Sequence, residues 1–124
     1  MNRRIVLIED NEQNRYLVSY ILQARGWEVL HAYDGPSGLA LAASSDPALI
    51  LLDVQLPGMD GYAVARALRA DPTLDAVPVV AVTSYAMAGD RERCLEAGCN
   101  GYLEKPIDPQ TFAEQVEAFI KDSR

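Results

Sequence analysis

The sequence predicts an α/β domain: a parallel sheet covered by helices on both faces. Three observations carry this. Five short runs are apolar at nearly every position, which is how strands buried on both faces read. Segments with a helical period alternate with those runs along the whole chain. Polar residues capable of chemistry follow the runs and are almost absent within them, and in open α/β sheets ligands bind beyond the carboxyl ends of the strands.

The elements follow in order. Ile5-Val6-Leu7-Ile8 is the first strand and runs into Glu9 and Asp10. Residues 14–26 keep a helical period, with Leu17, Val18, Ile21 and Leu22 on one face and Gly26 as the stop. Val29-Leu30-His31-Ala32 is the second strand. Pro36 opens a second helix with Leu39, Ala40 and Ala43 directed inward. Leu49-Ile50-Leu51-Leu52 is the third strand and leads to Asp53. Residues 61–70 form a third helix, with Val64 and Leu68 one turn apart. Residues 79–82 are the fourth strand, ending at Thr83 and Ser84. Residues 90–97 form a fourth helix, stopped by Gly98. Tyr102 and Leu103 make a short fifth strand before Glu104-Lys105-Pro106. Asp108 is expected to cap the last helix and Pro109 to take its first turn, with Phe112, Val116, Phe119 and Ile120 buried. The expectation is one domain over residues 1–124.

Composition narrows the function. The 124 residues carry a formal net charge of −7, which argues against nucleic acid and anionic membrane surfaces as partners. No apolar run approaches the length of a bilayer span, and Ile5-Val6-Leu7-Ile8 is too short for a signal peptide, so a cytoplasmic protein is expected. Cys94 and Cys99 lack metal-site spacing and read as reduced, partly buried thiols. His31 is the single histidine and sits in an apolar run, which argues against a His-dependent triad or a His-ligated metal.

The strand ends collect Glu9, Asp10, Asp53, Thr83 and Lys105, with Glu104 a solvated charge beside the lysine. Crowded carboxylates repel one another and a hard cation relieves the repulsion; Mg²⁺ suits one or two carboxylates plus a phosphate. A carboxylate can attack a phosphoryl group, and a lysine can stabilise the charge on that group.

Four segments resemble the receiver domain of two-component response regulators, the CheY-like superfamily. They are Glu9-Asp10, the stretch LLDVQLPGMDG around Asp53, Val82-Thr83-Ser84, and Glu104-Lys105-Pro106. The resemblance runs over residues 4–120. It implies a flavodoxin-like sheet of order 2-1-3-4-5 with five helices. It implies Asp53 as the phosphoacceptor, and Mg²⁺ or Mn²⁺ held by Asp10, Asp53, the backbone carbonyl of Gln55, and Glu9 through water. It also implies Thr83 and Lys105 as ligands of the phosphoryl group and Tyr102 as a switch residue, with Tyr85 able to share that role. The segments Glu9-Asp10-Asn11-Glu12-Gln13-Asn14, Thr83-Ser84-Tyr85-Ala86-Met87 and Glu104-Lys105-Pro106-Ile107 look like DivK-type single-domain regulators and the receivers of hybrid histidine kinases. Partners implied are a histidine kinase or a histidine phosphotransfer protein, and a downstream protein target. That target would bind the face of the fourth helix, fifth strand and fifth helix.

Three other readings compete. An Asp-nucleophile phosphatase needs an acid–base carboxylate two residues after the nucleophile, where this chain has Gln55. A phosphorylation-independent docking module is expected to have lost one of Asp10, Asp53, Thr83 and Lys105, and all are present. A flavodoxin-type cofactor module needs a Ser/Thr/Gly-rich phosphate loop after the first strand, and none follows it. The expectation is therefore a switch that is not itself an enzyme. Pro57-Gly58 is expected to shape the loop beside Asp53, and Ala86-Met87-Ala88-Gly89 to be a mobile switch loop.

Overall fold

The computed structural model describes residues 3–56, 60–83 and 89–122; Pro57, Gly58, Ser84, Tyr85, Ala86, Met87 and Ala88 lie outside the described residues. Strands β1 (Arg4–Ile8), β2 (Glu28–Ala32), β3 (Leu49–Asp53), β4 (Val79–Thr83) and β5 (Gly101–Glu104) form one parallel sheet in the order β2-β1-β3-β4-β5. Between and after them run α1 (Glu12–Gln23), α2 (Gly35–Ser45), α3 (Gly61–Arg69), α4 (Asp90–Glu96) and α5 (Phe112–Asp122). The chain winds outward from β1 to β2, then crosses back to β3. The direction of winding reverses between β1 and β3, and a crevice opens beyond their carboxyl ends.

Alternation along the strands divides the core in two. Ile5, Leu7, Leu49, Leu51, Val80 and Val82 pack with Val18, Ile21 and Leu22 of α1 and Phe112, Val116 and Ile120 of α5. Val6, Ile8, Ile50, Leu52, Val79 and Ala81 pack with Ala42 of α2, Val64 and Leu68 of α3, and Cys94 of α4. Every residue of β3 is buried, as a central strand between two helical layers must be.

Short polar side chains start α1, α2 and α3. Asn11, Asp34 and Asp60 each accept a backbone N–H one turn ahead, from Asn14, Ser37 and Ala63 at 2.8 to 2.9 Å. Such caps satisfy a donor that the first turn leaves open and are worth about 1 kcal/mol each. Asn100 fixes the start of β4: its Oδ1 accepts Val79 N–H at 2.9 Å, and its own N–H donates to Val79 O at 2.7 Å.

Two expectations are corrected. On α2, Ala40 and Ala43 face solvent and Leu39 is only half-buried; the buried positions are Gly35, Gly38 and Ala42. The cause is close approach to β1: a Cβ on Gly38 would lie 2.5 Å from Ile8 Cδ1. On α5, the helix begins at Phe112 rather than at Pro109. Asp108 instead organises the turn before it, accepting Gln110 N–H on its side chain and Thr111 and Phe112 N–H on its carbonyl. A 3₁₀ turn over Pro72–Leu74, capped by Asp71, was not expected from the apolar pattern.

The thiols of Cys94 and Cys99 are free and buried. Burial pushes Cys99 up to about 12 and also raises Cys94. His31 Nε2 lies 3.3 Å from Ser19 Oγ, and burial lowers its pKa.

Candidate functional site

The crevice at the switch point is a cleft of about 550 Å³ walled by Glu9, Asp10, Asn11, Asn14, Asp53, Gln55, Lys105 and Pro106. Each acidic residue arrives at the end of an apolar strand. Glu9 and Asp10 follow Ile8, and Glu9 N–H donates to Ala32 O at 3.0 Å, which continues the β1–β2 ladder by one residue. Asp53 closes β3 opposite Val82. Lys105 follows β5, held by its N–H to Thr83 O at 2.7 Å, and the Lys105–Pro106 bond is cis.

The side chains form a compact charged cluster. Carboxylate oxygens of Glu9, Asp10 and Asp53 all lie within 4.8 Å of one another. Glu9 and Asp53 are almost fully buried, at 3% and 4% exposure, and Asp10 is open to solvent. Lys105 Nζ sits 2.8 Å from Glu9 Oε1 and 3.6 Å from Asp53 Oδ2. Gln55 N–H donates to Asp53 Oδ1 at 2.9 Å, and Asn11 N–H to Glu9 Oε2 at 3.3 Å. Burial pushes the Asp53 carboxyl up to about 7. The hydrogen bond to Glu9 and its charge add to the rise, and Gln55 N–H and Lys105 oppose it.

The donor set fits a hard divalent cation. Three carboxylates supply only oxygen, with no imidazole or thiolate among the described residues of the cleft wall, and the exposed side at Asp10 leaves room for water ligands.

The family model of the response regulator receiver domain matches residues 5–117. The chain belongs to that family. The receiver is 38% identical over 123 residues to the polar-differentiation response regulator DivK of Brucella ovis, covering 99% of this chain and 100% of that protein. DivK of Brucella anthropi is equally similar, at 38% over 123 residues. Among solved structures, the receiver domain of the sensor histidine kinase PA1611 from Pseudomonas aeruginosa PAO1 superposes with a TM-score of 0.88 at 35% identity, over 98% of this chain and 99% of that one. That structure holds a magnesium ion coordinated in its active site cleft. Chemotaxis response regulator CheY4 of Vibrio cholerae gives a TM-score of 0.90 at 27% identity, over 96% and 99% of the two chains. The receiver is thus DivK-like and CheY-like, from a family in which phosphorylation on an aspartate with Mg²⁺ is typical.

The cleft brings together Glu9, Asp10, Asp53, Gln55 and Lys105. Thr83 and Tyr102 are not among the described residues that wall it. Thr83 is buried at the end of β4, on the side of the sheet that Ala81 shares, and Tyr102 pairs in register with Ala81 and packs half-buried against the α2–α4 half of the core. Glu104 is exposed. Two pairings of the receiver go beyond the sequence pattern, which gathers Glu9 and Lys105 at one rim without pairing them and leaves Arg15 unassigned. The ion pair of Lys105 with Glu9 joins residues 96 positions apart. Arg15 Nη1 donates to the carbonyls of Glu9 at 3.0 Å and Asp10 at 2.8 Å. Among the described residues, no helix is long and apolar enough to cross a membrane.

Proposed function

We propose that this receiver is a phosphorylation switch in which Asp53 accepts the phosphoryl group. The observation that carries the proposal is a nearly buried carboxylate held between a second carboxylate, an open acidic residue and a lysine. Glu9, Asp10, Asp53 and the Gln55 carbonyl are the residues that would hold Mg²⁺ or Mn²⁺, Glu9 acting through water. The bound ion would neutralise charge on the transferring group.

The donor is the phosphohistidine of a histidine kinase or a histidine phosphotransfer protein, or a small acyl phosphate. An ionised oxygen of Asp53 attacks phosphorus, the P–N bond breaks with its electron pair going to the imidazole nitrogen, and that nitrogen takes a proton from solvent as it leaves. Lys105 now neutralises Glu9 and Asp53 together; a phosphoryl group on Asp53 offers it a stronger partner. Thr83 follows as a hydroxyl donor to the new oxygens. Because Thr83 and Tyr102 share one side of β4 and β5, movement of the first opens space for the second. The face of α4, β5 and α5 then changes shape and binds a downstream protein in the cytoplasm, without nucleic acid or membrane. The domain is not a turnover enzyme: Gln55 supplies no acid–base carboxylate, and the phosphoryl group leaves slowly by water attack.

Intact mass after incubation with acetyl phosphate tests this. The expected gain is one phosphoryl group that needs both Mg²⁺ and Asp53. No gain in wild type under any condition would leave a phosphorylation-independent docking module as the better account.

A further inference from the structure

We propose that Arg15 is the positioning residue for Asp10, and thereby sets the affinity of the cleft for its divalent cation. The inference rests on the reading of Glu9, Asp10 and Asp53 as the cation's ligands.

The three carboxylates are not held alike. Glu9 is fixed at both oxygens, by Lys105 Nζ and by Asn11 N–H. Asp53 is fixed by Gln55 N–H and faces Lys105. Among the described residues nothing hydrogen-bonds the Asp10 carboxylate, and it is open to solvent. Its place is therefore set by its backbone. That backbone belongs to a connection of only three residues between β1 and α1. Arg15 holds this connection from one turn inside α1. A single guanidinium nitrogen donates to the carbonyls of both Glu9 and Asp10.

The guanidinium is itself held. Its carbon lies 4.1 Å from the centroid of the Tyr33 ring, which follows β2. Flat stacking on an aromatic face suits the planar guanidinium better than a compact ammonium. Arg15 N–H also donates to Asn11 O at 3.0 Å, so the same residue starts the helix and braces the loop. Arg15 thus ties the β1–α1 connection to the segment after β2, and the exposed ligand inherits the rigidity of both.

Charge and position make opposite predictions for removing this residue. A cation near the cleft repels another, so loss of the charge alone would tighten metal binding. Loss of the brace would weaken it.

The experiment is an NMR titration of the metal-free protein with MgCl₂, followed at the amides of Asn11 and Gln55, in wild type, Arg15→Ala and Arg15→Lys. Second-sphere partners of metal ligands typically change affinity by about 10- to 100-fold, so Arg15→Ala is expected to raise the half-saturating Mg²⁺ concentration about tenfold. Arg15→Lys keeps the charge and a donor but loses the flat packing on Tyr33, and its expected rise is about threefold, intermediate between wild type and Arg15→Ala. At saturating Mg²⁺ the rate of phosphorylation by acetyl phosphate should return to within about twofold of wild type, since the reacting groups are untouched. Unchanged or tighter Mg²⁺ binding in both variants, even with a lower melting temperature, would overturn the assignment of Arg15 alone. Failure of wild type to respond to Mg²⁺ would overturn the metal site itself, and the role of Arg15 with it. Should Arg15→Ala not fold, the lysine variant decides.

Discussion

Helices α1 and α4 flank the same sheet from opposite sides and are held very differently. The first has twelve residues, a side-chain cap from Asn11, and Val18, Ile21 and Leu22 buried against β1, β3 and their neighbours. The second has seven residues, begins at Gly89 in a left-handed conformation with no side-chain cap, and buries Cys94. It also makes polar and aromatic contacts near the surface: Tyr62 OH lies 3.5 Å from Asp90, and the Arg93 guanidinium lies over the Tyr62 ring. The acidic cleft is built against the firmly held helix. The α4 side, where Tyr102 packs, is expected to open at lower free energy than the α1 side. The cleft and the shorter helix thus lie against differently held parts of the same sheet, with α5 on the side of α1 and α4 on the other.

Core truncation tests the contrast most severely. Leu22→Ala should lower unfolding free energy by about 2–5 kcal/mol in urea titrations, as for buried leucines generally. Cys94→Ala, which removes one buried sulfur, should cost about 1 kcal/mol and act mainly on α4. Equal losses for the two would erase the distinction.

The next effect is electrostatic. Asp53 sits at about 7, above the range of an unfolded aspartate. Between the two values the folded state holds more protons than the unfolded one, so metal-free wild type should lose stability as pH rises from about 4 to about 7. Asp53→Asn removes that loss and should be more stable than wild type at pH 8 by about 1–2 kcal/mol, an order-of-magnitude figure for a relieved buried charge. A wild-type stability that is flat across this range, measured in chelator, would contradict the placement of Asp53. The same proton competes with the cation, so Mg²⁺ affinity should climb with pH and level off above about 7.

A smaller effect concerns the start of α4. Gly89 has φ of 88°, and among the described residues nothing lies within 4 Å of the place a Cβ would take. Gly89→Ala therefore strains the backbone without a clash, at about 1 kcal/mol. Amide exchange should speed up in α4 and stay unchanged in α1; equal acceleration in both would mean the helices open together. The smallest signal is chemical. Burial suppresses both thiolates, so iodoacetamide should label Cys94 and Cys99 only when α4 opens, and the labelling rate at pH 8 reports how often it does.

Much of this architecture was legible in the residues, for identifiable reasons. All five strands are apolar runs, and Asp53 and Lys105 stand where a run meets a loop. What stayed hidden depends on approach distance and on pairing across the fold. The buried face of α2 is made by Gly35, Gly38 and Ala42, and a pattern that looks for large apolar side chains passes over glycine as a contact. The start of α5 shifted because Asp108 and Pro109 signal a turn as readily as a helix cap. Arg15 looked like an ordinary polar position on a helix, and only the fold brings its guanidinium to two loop carbonyls. Lys105 was expected beside Asp53, yet its shorter bond is to Glu9.

At the opposite end of the sheet, Trp27 donates its indole N–H to Glu117 of α5 at 3.0 Å, while the Arg3 guanidinium covers its ring and Arg25 grips the same carboxylate. It is the single tryptophan of the sequence. Its emission therefore serves as a native optical gauge of α5, placed too far from the cleft for a bound ion or phosphoryl group to quench it by contact. Any change in that fluorescence on phosphorylation reports a rearrangement that has reached the far end of the sheet.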